Sequence, residues 1–219
     1  MNNMSTQGRL AFFKEFLSYP QQIGSVIPSS RFLERRVVRL ASVSSARTVV
    51  ELGPGTGGTT RALLRALSPH ARLLCIELSP RLHELTSRIP DPRLTVHLGS
   101  AQSLVEILAQ YGLPAPDAVV SGIPFSTMGD DCGSDILQAV SRVLAPGGRF
   151  VAYQLSDRVA KLARPILGVA PMETEILNVP PMRVYRWVKR ASESRPNGAN
   201  GAHAAPQTAS KATAQPPVS

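Results

Sequence analysis

The sequence contains few of the residues that stabilise small domains by covalent or metal cross-links. Its 219 residues include 2 cysteines and 4 histidines. Cys75 and Cys132 form no CxxC pair and have no histidine at ligand spacing, which excludes a disulfide framework and a zinc site. The histidines are scattered, at His70, His83, His97 and His203. We therefore expect no bound metal and two free thiols, as suits a reducing cytosol.

Long apolar runs and acidic residues are also scarce. No stretch of about 18 uncharged apolar residues occurs, and residues 1–10 lack the apolar core of a signal peptide. These absences predict a cytoplasmic protein. Lys and Arg number 24 against 15 Asp and Glu, which gives a net charge of +9. Such an excess favours an anionic partner, either RNA or a membrane surface rich in acidic lipids, and composition alone does not choose between them.

Apolar segments alternate with helical patterns from Arg47 to Arg190. Five segments with little polar alternation are typical of strands buried on both faces: residues 48–52, 73–78, 94–98, 118–121 and 150–155. Each precedes a helix candidate, which implies right-handed crossovers in a parallel sheet. Residues 174–179 and 184–188, joined by a short proline-containing link, predict a terminal antiparallel hairpin. The pattern therefore predicts an α/β fold with a Rossmann-like sheet of seven strands and helices on both faces.

Local chemistry marks several helix ends. Ser79 before Pro80 predicts a helix start, Ser156 predicts a cap after the fifth strand, and Tyr111 before Gly112 predicts a helix end. Two further helices are predicted at residues 4–19 and 30–42. The second has two faces, with Leu33, Val37, Leu40 and Ala41 on one side and Arg31, Arg35 and Arg39 on the other. That basic stripe faces either phosphate groups or solvent alone.

The strongest local signal follows the first predicted strand, where the chain reads E-L-G-P-G-T-G from Glu51 to Gly57 and continues into a helix. Glycines allow positive φ and let a ligand lie against bare backbone, and the helix N-terminus adds unpaired N–H groups. Glu77, at the end of the second strand, is placed to accept hydrogen bonds from a ribose diol. A nicotinamide dinucleotide would satisfy the same geometry.

Two turns resemble those of class I S-adenosylmethionine-dependent methyltransferases. The pattern E-x-G-x-G-x-G resembles their motif I, and L-A-P-G-G-R-F at residues 144–150 resembles the turn before their fifth strand. The resemblance implies S-adenosylmethionine as cofactor, with the Glu51 carboxylate orienting its cationic amino-acid end. Where an Asp would bind the adenine amino group, this chain has Ser100. The implied cofactor site comprises Ser25, Glu51, Gly53, Gly55, Gly57, Glu77, Leu78, Gly99, Ser100, Ala101 and Ser121.

The segment S-G-I-P-F at residues 121–125 follows the fourth strand, at the sheet edge where substrates of open α/β sheets bind. Enzymes that methylate adenine amines usually place Asn, Asp or Ser at the head of such a tetrapeptide. Here that position is Gly122, which leaves the backbone carbonyls of residues 121 and 122 as acceptors. Phe125 packs either beside the substrate or in the core. The candidate catalytic residues are Tyr19, Ser121, Gly122, Pro124 and Phe125, and water, Tyr19, Asp130 or Asp131 takes up the amine proton.

A closer resemblance covers residues 11–190. The segments F-F-K-E-F-L (12–17), I-G-S-V-I-P-S-S (23–30), S-G-I-P (121–124) and N-V-P-P-M-R-V-Y (178–185) are similar to those of bacterial soluble-type phospholipid N-methyltransferases. This resemblance implies stepwise methylation of phosphatidylethanolamine and its partly methylated forms by a monomer bound peripherally to the inner face of the membrane. Residues 125–128, F-S-T-M, depart from the apolar continuation usual in that family.

Two alternatives stay open for the methyl acceptor. One is an rRNA adenine N6-methyltransferase, against which stand Gly122 and the lack of sequence for the helical C-terminal domain of those enzymes. The other is an N-methyltransferase of a different amine, such as an ornithine lipid or a secondary metabolite.

The expected organisation has three parts. Residues 1–46 form N-terminal helices that act as a lid over cofactor and substrate, residues 47–190 form the methyltransferase core, and residues 191–219 form a disordered tail without apolar periodicity. The apolar arc of the first helix predicts docking to an anionic membrane surface, helped by Lys14. Packing of the same side chains on the sheet is the alternative. The arc comprises Leu10, Phe12, Phe13, Phe16, Leu17 and Tyr19.

Overall fold

The computed structural model of the protein describes residues 29–190, and a sheet of seven strands forms its centre. Five strands are parallel: β1 (Thr48–Leu52), β2 (Arg72–Glu77), β3 (Leu94–Leu98), β4 (Ala118–Ser121) and β5 (Arg149–Gln154). The hairpin strands β6 (Met172–Glu175) and β7 (Met182–Val188) are antiparallel, and β7 pairs with β5. The order β3-β2-β1-β4-β5-β7-β6 confirms the predicted seven-stranded, Rossmann-like sheet with its terminal hairpin.

Within residues 29–190, six α-helices cover the two faces of the sheet: α1 (Arg31–Leu40), α2 (Gly58–Ala66), α3 (Pro80–Ser87), α4 (Leu104–Gln110), α5 (Asp130–Val143) and α6 (Arg158–Leu167). The buried side chains of α1 and α2 pack on one face, and those of α4, α5 and α6 pack on the other. Strands β1 and β4 are buried along their whole length because both faces are covered. None of the helices within residues 29–190 is long and apolar enough to cross a bilayer.

Most predicted boundaries agree with the structure, and the hairpin is the main exception. Strand β6 ends at Glu175, so the prediction of a strand over residues 174–179 is wrong for residues 176–179. Glu175 Oε1 accepts a hydrogen bond from the Leu177 N–H at 2.9 Å, which turns the chain away from the sheet. Asn178 is buried and bridges two segments, accepting from the Ser30 N–H and donating to the Pro180 carbonyl, both at 2.9 Å. Side-chain contacts between distant segments therefore override the strand pattern.

The predicted helix ends are confirmed at two places. Ser79 Oγ accepts from the Leu82 N–H with Pro80 in the first turn of α3, and Gly112 has a φ of +59° just after α4. At α6 the prediction is one residue early, since Asp157 occupies the cap position. Ser156 Oγ instead accepts from the Arg158 N–H at 3.4 Å.

Helix α1 has the two faces that the sequence predicts. Leu33, Val37 and Leu40 are buried, and Arg31, Arg35 and Arg39 are exposed. Arg39 also donates to Glu173 at 2.6 Å, and Arg36 donates to Glu175 at 2.8 Å, so the helix is tied to strand β6. The predicted helix 4–19, including Tyr19, the residue Ser25 and the predicted tail 191–219 lie outside the described residues.

Candidate active site

The candidate site lies where the strand order reverses, between the carboxyl ends of β1 and β4. Leu52 and Ser121 are paired in the parallel register, and the Gly122 N–H donates to the Leu52 carbonyl at 3.0 Å. A Cβ added to Gly53 would lie 3.1 Å from Ile123 Cγ1. The glycine turn after β1 and the segment after β4 are therefore neighbours, in the crevice where open α/β sheets bind ligands.

The three glycines of the turn have different surroundings. Gly53, Gly55 and Gly57 have φ values of +72°, +58° and +81°. A Cβ at Gly53 or Gly57 would press on Ile123 or Ile89, at 3.1 and 3.0 Å. A Cβ at Gly55 would meet no atom within 4 Å. Packing inside the protein thus requires the outer two glycines, whereas Gly55 leaves a bare backbone surface against which a ligand can lie.

The structure brings Glu77 to the glycine turn, as the sequence predicts. Its side chain is buried, Oε2 accepts from the Gly55 N–H at 3.2 Å, and Oε1 accepts from the Ser79 N–H at 2.9 Å. Burial raises the pKa of Glu77, and these two backbone N–H groups act in the opposite direction. Thr86 Oγ1 donates to the Gly55 carbonyl at 3.1 Å, so both backbone groups of Gly55 are held.

Glu51 is fully buried on β1, beneath the turn. Its Oε2 accepts from Thr60 Oγ1 at 2.7 Å and from Cys75 Sγ at 3.2 Å, and burial raises its pKa to about 7. Oε1 has no hydrogen-bond partner among residues 29–190. An unpaired buried oxygen is rare, because leaving one costs about 1–3 kcal/mol. This oxygen fits the ammonium group of the amino-acid end of S-adenosylmethionine.

The segment after β3 lies beside Glu77. The Gly99 N–H donates to the Glu77 carbonyl at 2.9 Å, and Leu78 is the first residue after β2. A Cβ at Gly99 would lie 2.7 Å from His97 Nε2, so any larger residue there would push the His97 ring aside. Ser100 Oγ accepts from the Gln102 N–H at 3.2 Å and caps a 3-10 helix that begins at Ala101. The Ser100 hydroxyl is therefore engaged locally, which favours its backbone as the contact for adenine.

The segment after β4 is held by a residue that sequence reasoning missed. Gln154, buried at the end of β5, donates to the Ile123 carbonyl at 2.6 Å and accepts from the Phe125 N–H at 3.3 Å. Ser121 Oγ accepts from the Ile123 N–H at 3.3 Å, and the Pro124 carbonyl accepts from Thr127. The Phe125 ring is fully buried within the apolar core. This burial is that of a core residue.

Tyr153 on β5 is the second residue that sequence reasoning missed. A Cβ added to Gly122 would lie 2.4 Å from Tyr153 Oη, so the hydroxyl fills the space of a side chain at position 122. Oη also lies 3.2 Å from Thr59 Oγ1, in the first turn of α2. The available signal is a polar aromatic residue directly after the three apolar residues Phe150 to Ala152. Asp130, a predicted proton acceptor, forms an ion pair with Arg158 at the start of α5.

Comparisons with known proteins agree with this arrangement. Residues 49–148 match the family described as Methyltransferase domain. The chain is 34% identical over 141 residues to an ornithine lipid N-methyltransferase of Singulisphaera acidiphila, covering 64% of this chain and 73% of that protein. It is 36% identical over 96 residues to ribosomal RNA small subunit methyltransferase A of Phenylobacterium zucineum, covering 43% of this chain but 32% of that enzyme.

Solved structures share the fold at low sequence identity. The 1,6-didemethyltoxoflavin-N1-methyltransferase of Burkholderia thailandensis has a TM-score of 0.64 at 15% identity, covering 87% of this chain and 92% of that one. The O-methyltransferase TomG of Streptomyces achromogenes has a TM-score of 0.61 at 17% identity, covering 85% and 91%. The chain belongs to the class I S-adenosylmethionine-dependent methyltransferases.

Proposed function

We propose that this methyltransferase acts on the amine of a membrane lipid, with phosphatidylethanolamine and its partly methylated forms as first candidates and ornithine lipid as the other. The observation that carries the proposal is the 34% identity over 141 residues to a protein named ornithine lipid N-methyltransferase. Both lipids offer an amine on an amphiphile that does not leave the bilayer readily. The acceptor site must therefore work at the membrane surface.

The residues of the site have distinct tasks in such a reaction. When bound, S-adenosylmethionine supplies a methyl group on a positively charged sulfur. The unpaired Glu51 oxygen would hold the cationic end, Glu77 would accept from the ribose, and Gly55 would leave room for the ligand. The acceptor ammonium would release a proton to water, and the site would then align the neutral nitrogen with the methyl group that the cofactor supplies. Alignment and exclusion of water matter more here than a strong base.

The carboxyl edge of the sheet carries exposed apolar side chains that support docking to a bilayer. Gln154, the last residue of β5, pairs with Arg183, so the loop after β6 extends beyond this edge. In that loop Ile176, Leu177 and Val179 are 71%, 56% and 85% exposed. Each such side chain contributes about 1.5–3 kcal/mol when fully buried in an apolar phase. The exposed Arg183 adds attraction to anionic lipid of about 1 kcal/mol, screened by salt.

The rRNA alternative is supported by several relatives named ribosomal RNA small subunit methyltransferase A. The aligned regions cover 32% of the enzyme from Phenylobacterium zucineum and 51% of the enzyme from Kineococcus radiotolerans. Much of each enzyme therefore has no counterpart in the alignment, and its RNA methylation cannot be assigned to this chain. The alignment with the ornithine lipid N-methyltransferase spans 73% of that protein, and Gly122 differs from the Asn, Asp or Ser usual at this position in adenine methyltransferases. These observations favour the lipid acceptor.

Methyl transfer from labelled cofactor tests the proposal. The full chain is offered vesicles of phosphatidylethanolamine, vesicles containing ornithine lipid, and 16S rRNA, and Gly55→Val is the inactive control. We expect label in at least one lipid and none in RNA. Label in RNA alone would refute the lipid proposal and show that the protein is an RNA methyltransferase.

Vesicle co-sedimentation tests the membrane surface with a matched pair of variants. Val179→Ser replaces an exposed apolar side chain at the carboxyl edge of the sheet with a polar one. Val169→Ser makes the same change at the opposite edge, where Val169 is 79% exposed and lies beside Val188. We expect only Val179→Ser to weaken binding to vesicles that contain acidic lipid. If both variants bind vesicles equally well, the loop after β6 does not contact the membrane.

A further inference from the structure

Position 122 is glycine in this chain because another side chain fills its space. A Cβ there would lie 2.4 Å from Tyr153 Oη, 2.9 Å from Tyr153 Cζ and 3.1 Å from the Gly53 carbonyl oxygen. Real Cβ atoms do not approach other atoms to 2.4 Å, so any larger residue would displace the ring. The Tyr153 hydroxyl thus lies in the crevice between the segment after β4 and the glycine turn.

The hydroxyl has hydrogen-bonding capacity to spare. Thr59 Oγ1 donates to Ser29 Oγ at 3.5 Å and lies 3.2 Å from Tyr153 Oη. A hydroxyl has one hydrogen to donate, so when Thr59 donates to Ser29, Tyr153 donates to Thr59. Ser29 also hydrogen-bonds the Tyr153 hydroxyl, which leaves one lone pair of the phenol oxygen for a further donor. Burial, with a smaller contribution from the charge of Glu51, raises the pKa of Tyr153, so the group stays a neutral hydroxyl.

We propose that Tyr153 Oη accepts a hydrogen bond from the substrate amine and so positions the amine for methyl transfer, in place of a side-chain oxygen at position 122. This inference rests on the proposed function. An N–H bound to Oη fixes the direction of the nitrogen lone pair, which must point at the methyl carbon for displacement to occur. The chain thus supplies from β5 the acceptor that Gly122 cannot supply.

The number of N–H bonds on the acceptor gives this role a signature. A neutral primary amine has two N–H bonds and a monomethylated amine has one, whereas a dimethylated amine has none. Tyr153 therefore assists transfer to the first two acceptors and has nothing to accept from the third. A merely structural role would affect all three equally.

The test compares Tyr153→Phe with wild type on vesicles that contain unmethylated, monomethylated or dimethylated phosphatidylethanolamine, and on ornithine lipid. We expect kcat on the unmethylated amine to fall at least tenfold. Transfer to the dimethylated amine should change less than twofold, and so should the affinity for S-adenosylhomocysteine by calorimetry. Tyr111→Phe is the matched control for the loss of a tyrosine hydroxyl, since Tyr111, just after α4, bonds His97 Nδ1 at 3.2 Å and not Thr59. Unchanged kcat on the unmethylated amine, or equal slowing on every acceptor, would overturn the role of Tyr153.

A second pair of variants tests the shared space. Gly122→Ala should lose at least tenfold in activity in the wild-type background. Leucine at position 153 lacks Oη and Cζ. Adding Gly122→Ala to the Tyr153→Leu variant should therefore reduce its activity less than twofold further. Full activity of Gly122→Ala alone would show that the hydroxyl does not fill this space. If the wild type methylates no lipid at all, the proposed function fails. If the wild type is active and Tyr153→Phe is equally active, only the role of Tyr153 fails.

Discussion

The bare surface at Gly55 predicts a large loss of cofactor binding when a side chain is added there. In Gly55→Val the new Cβ meets no protein atom within 4 Å, so it occupies the volume that we assign to the ligand. A branched side chain in contact with the cofactor should weaken binding about 100-fold, which corresponds to about 2.7 kcal/mol. Isothermal titration with S-adenosylhomocysteine measures this loss.

Backbone strain is the competing explanation, and Gly112 separates the two. Gly112 has a φ of +59°, against +58° at Gly55, and a Cβ there also meets no atom within 4 Å. A non-glycine residue in this region costs about 1–2 kcal/mol, so both variants should melt lower, by about 2–8 °C for a domain of this size. Only Gly55→Val should lose cofactor affinity.

Two results would refute the assignment. Wild-type affinity in a folded Gly55→Val protein would show that the cofactor does not lie against this turn. An equal loss in Gly112→Val would show that strain alone explains the effect. Circular dichroism and the melting temperature of each variant establish that it is folded.

Three further predictions follow from the described residues and the sequence. Between the ordinary carboxyl pKa of 4.5 and its raised pKa of about 7, Glu51 binds a proton in the native state that the unfolded chain has released. The free energy of unfolding should therefore fall by about 3 kcal/mol as pH rises through this window. Urea titrations at several pH values should show this decrease for the wild type and not for Glu51→Gln. The same pH dependence in both proteins would contradict the prediction. Lys189 Nζ donates to the carbonyls of Ser141, Arg142 and Leu144 at 2.8, 3.2 and 2.7 Å, at the end of α5. Lys189→Met should thus cost about 1–3 kcal/mol of unfolding free energy, against less than about 0.5 for the exposed neighbour Arg190→Met, and equal costs would refute it. Deletion of residues 191–219, which have no apolar periodicity, should leave methyl transfer within about twofold, and loss of turnover in a folded truncation would reveal a role for that segment.

Local patterns in the sequence determined most of the fold and brought the glycine turn together with Glu77. The five parallel strands follow from short apolar runs, because a strand covered on both faces must be apolar throughout. The glycine turn follows β1, and Glu77 is the last residue of β2. Because the carboxyl ends of parallel strands lie at the same edge of a sheet, the order of the predicted strands was enough to place the two together. Likewise, Ser79 with Pro80 and Gly112 act on helix ends within a few residues of themselves.

Only the tertiary structure decided which side chains share a space. Gln154 holds a carbonyl 31 positions away, and Asn178 holds a backbone N–H 148 positions away, so neither partner could be found from local spacing. The loop after β6 keeps an apolar strand pattern in its sequence but is turned out of the sheet by Glu175 and Asn178. Phe125 suited either a substrate contact or the core until its burial was known. The filling of the Gly122 space by Tyr153 depends on the sideways contact between β4 and β5, and a linear sequence specifies neither the register nor the direction of that contact.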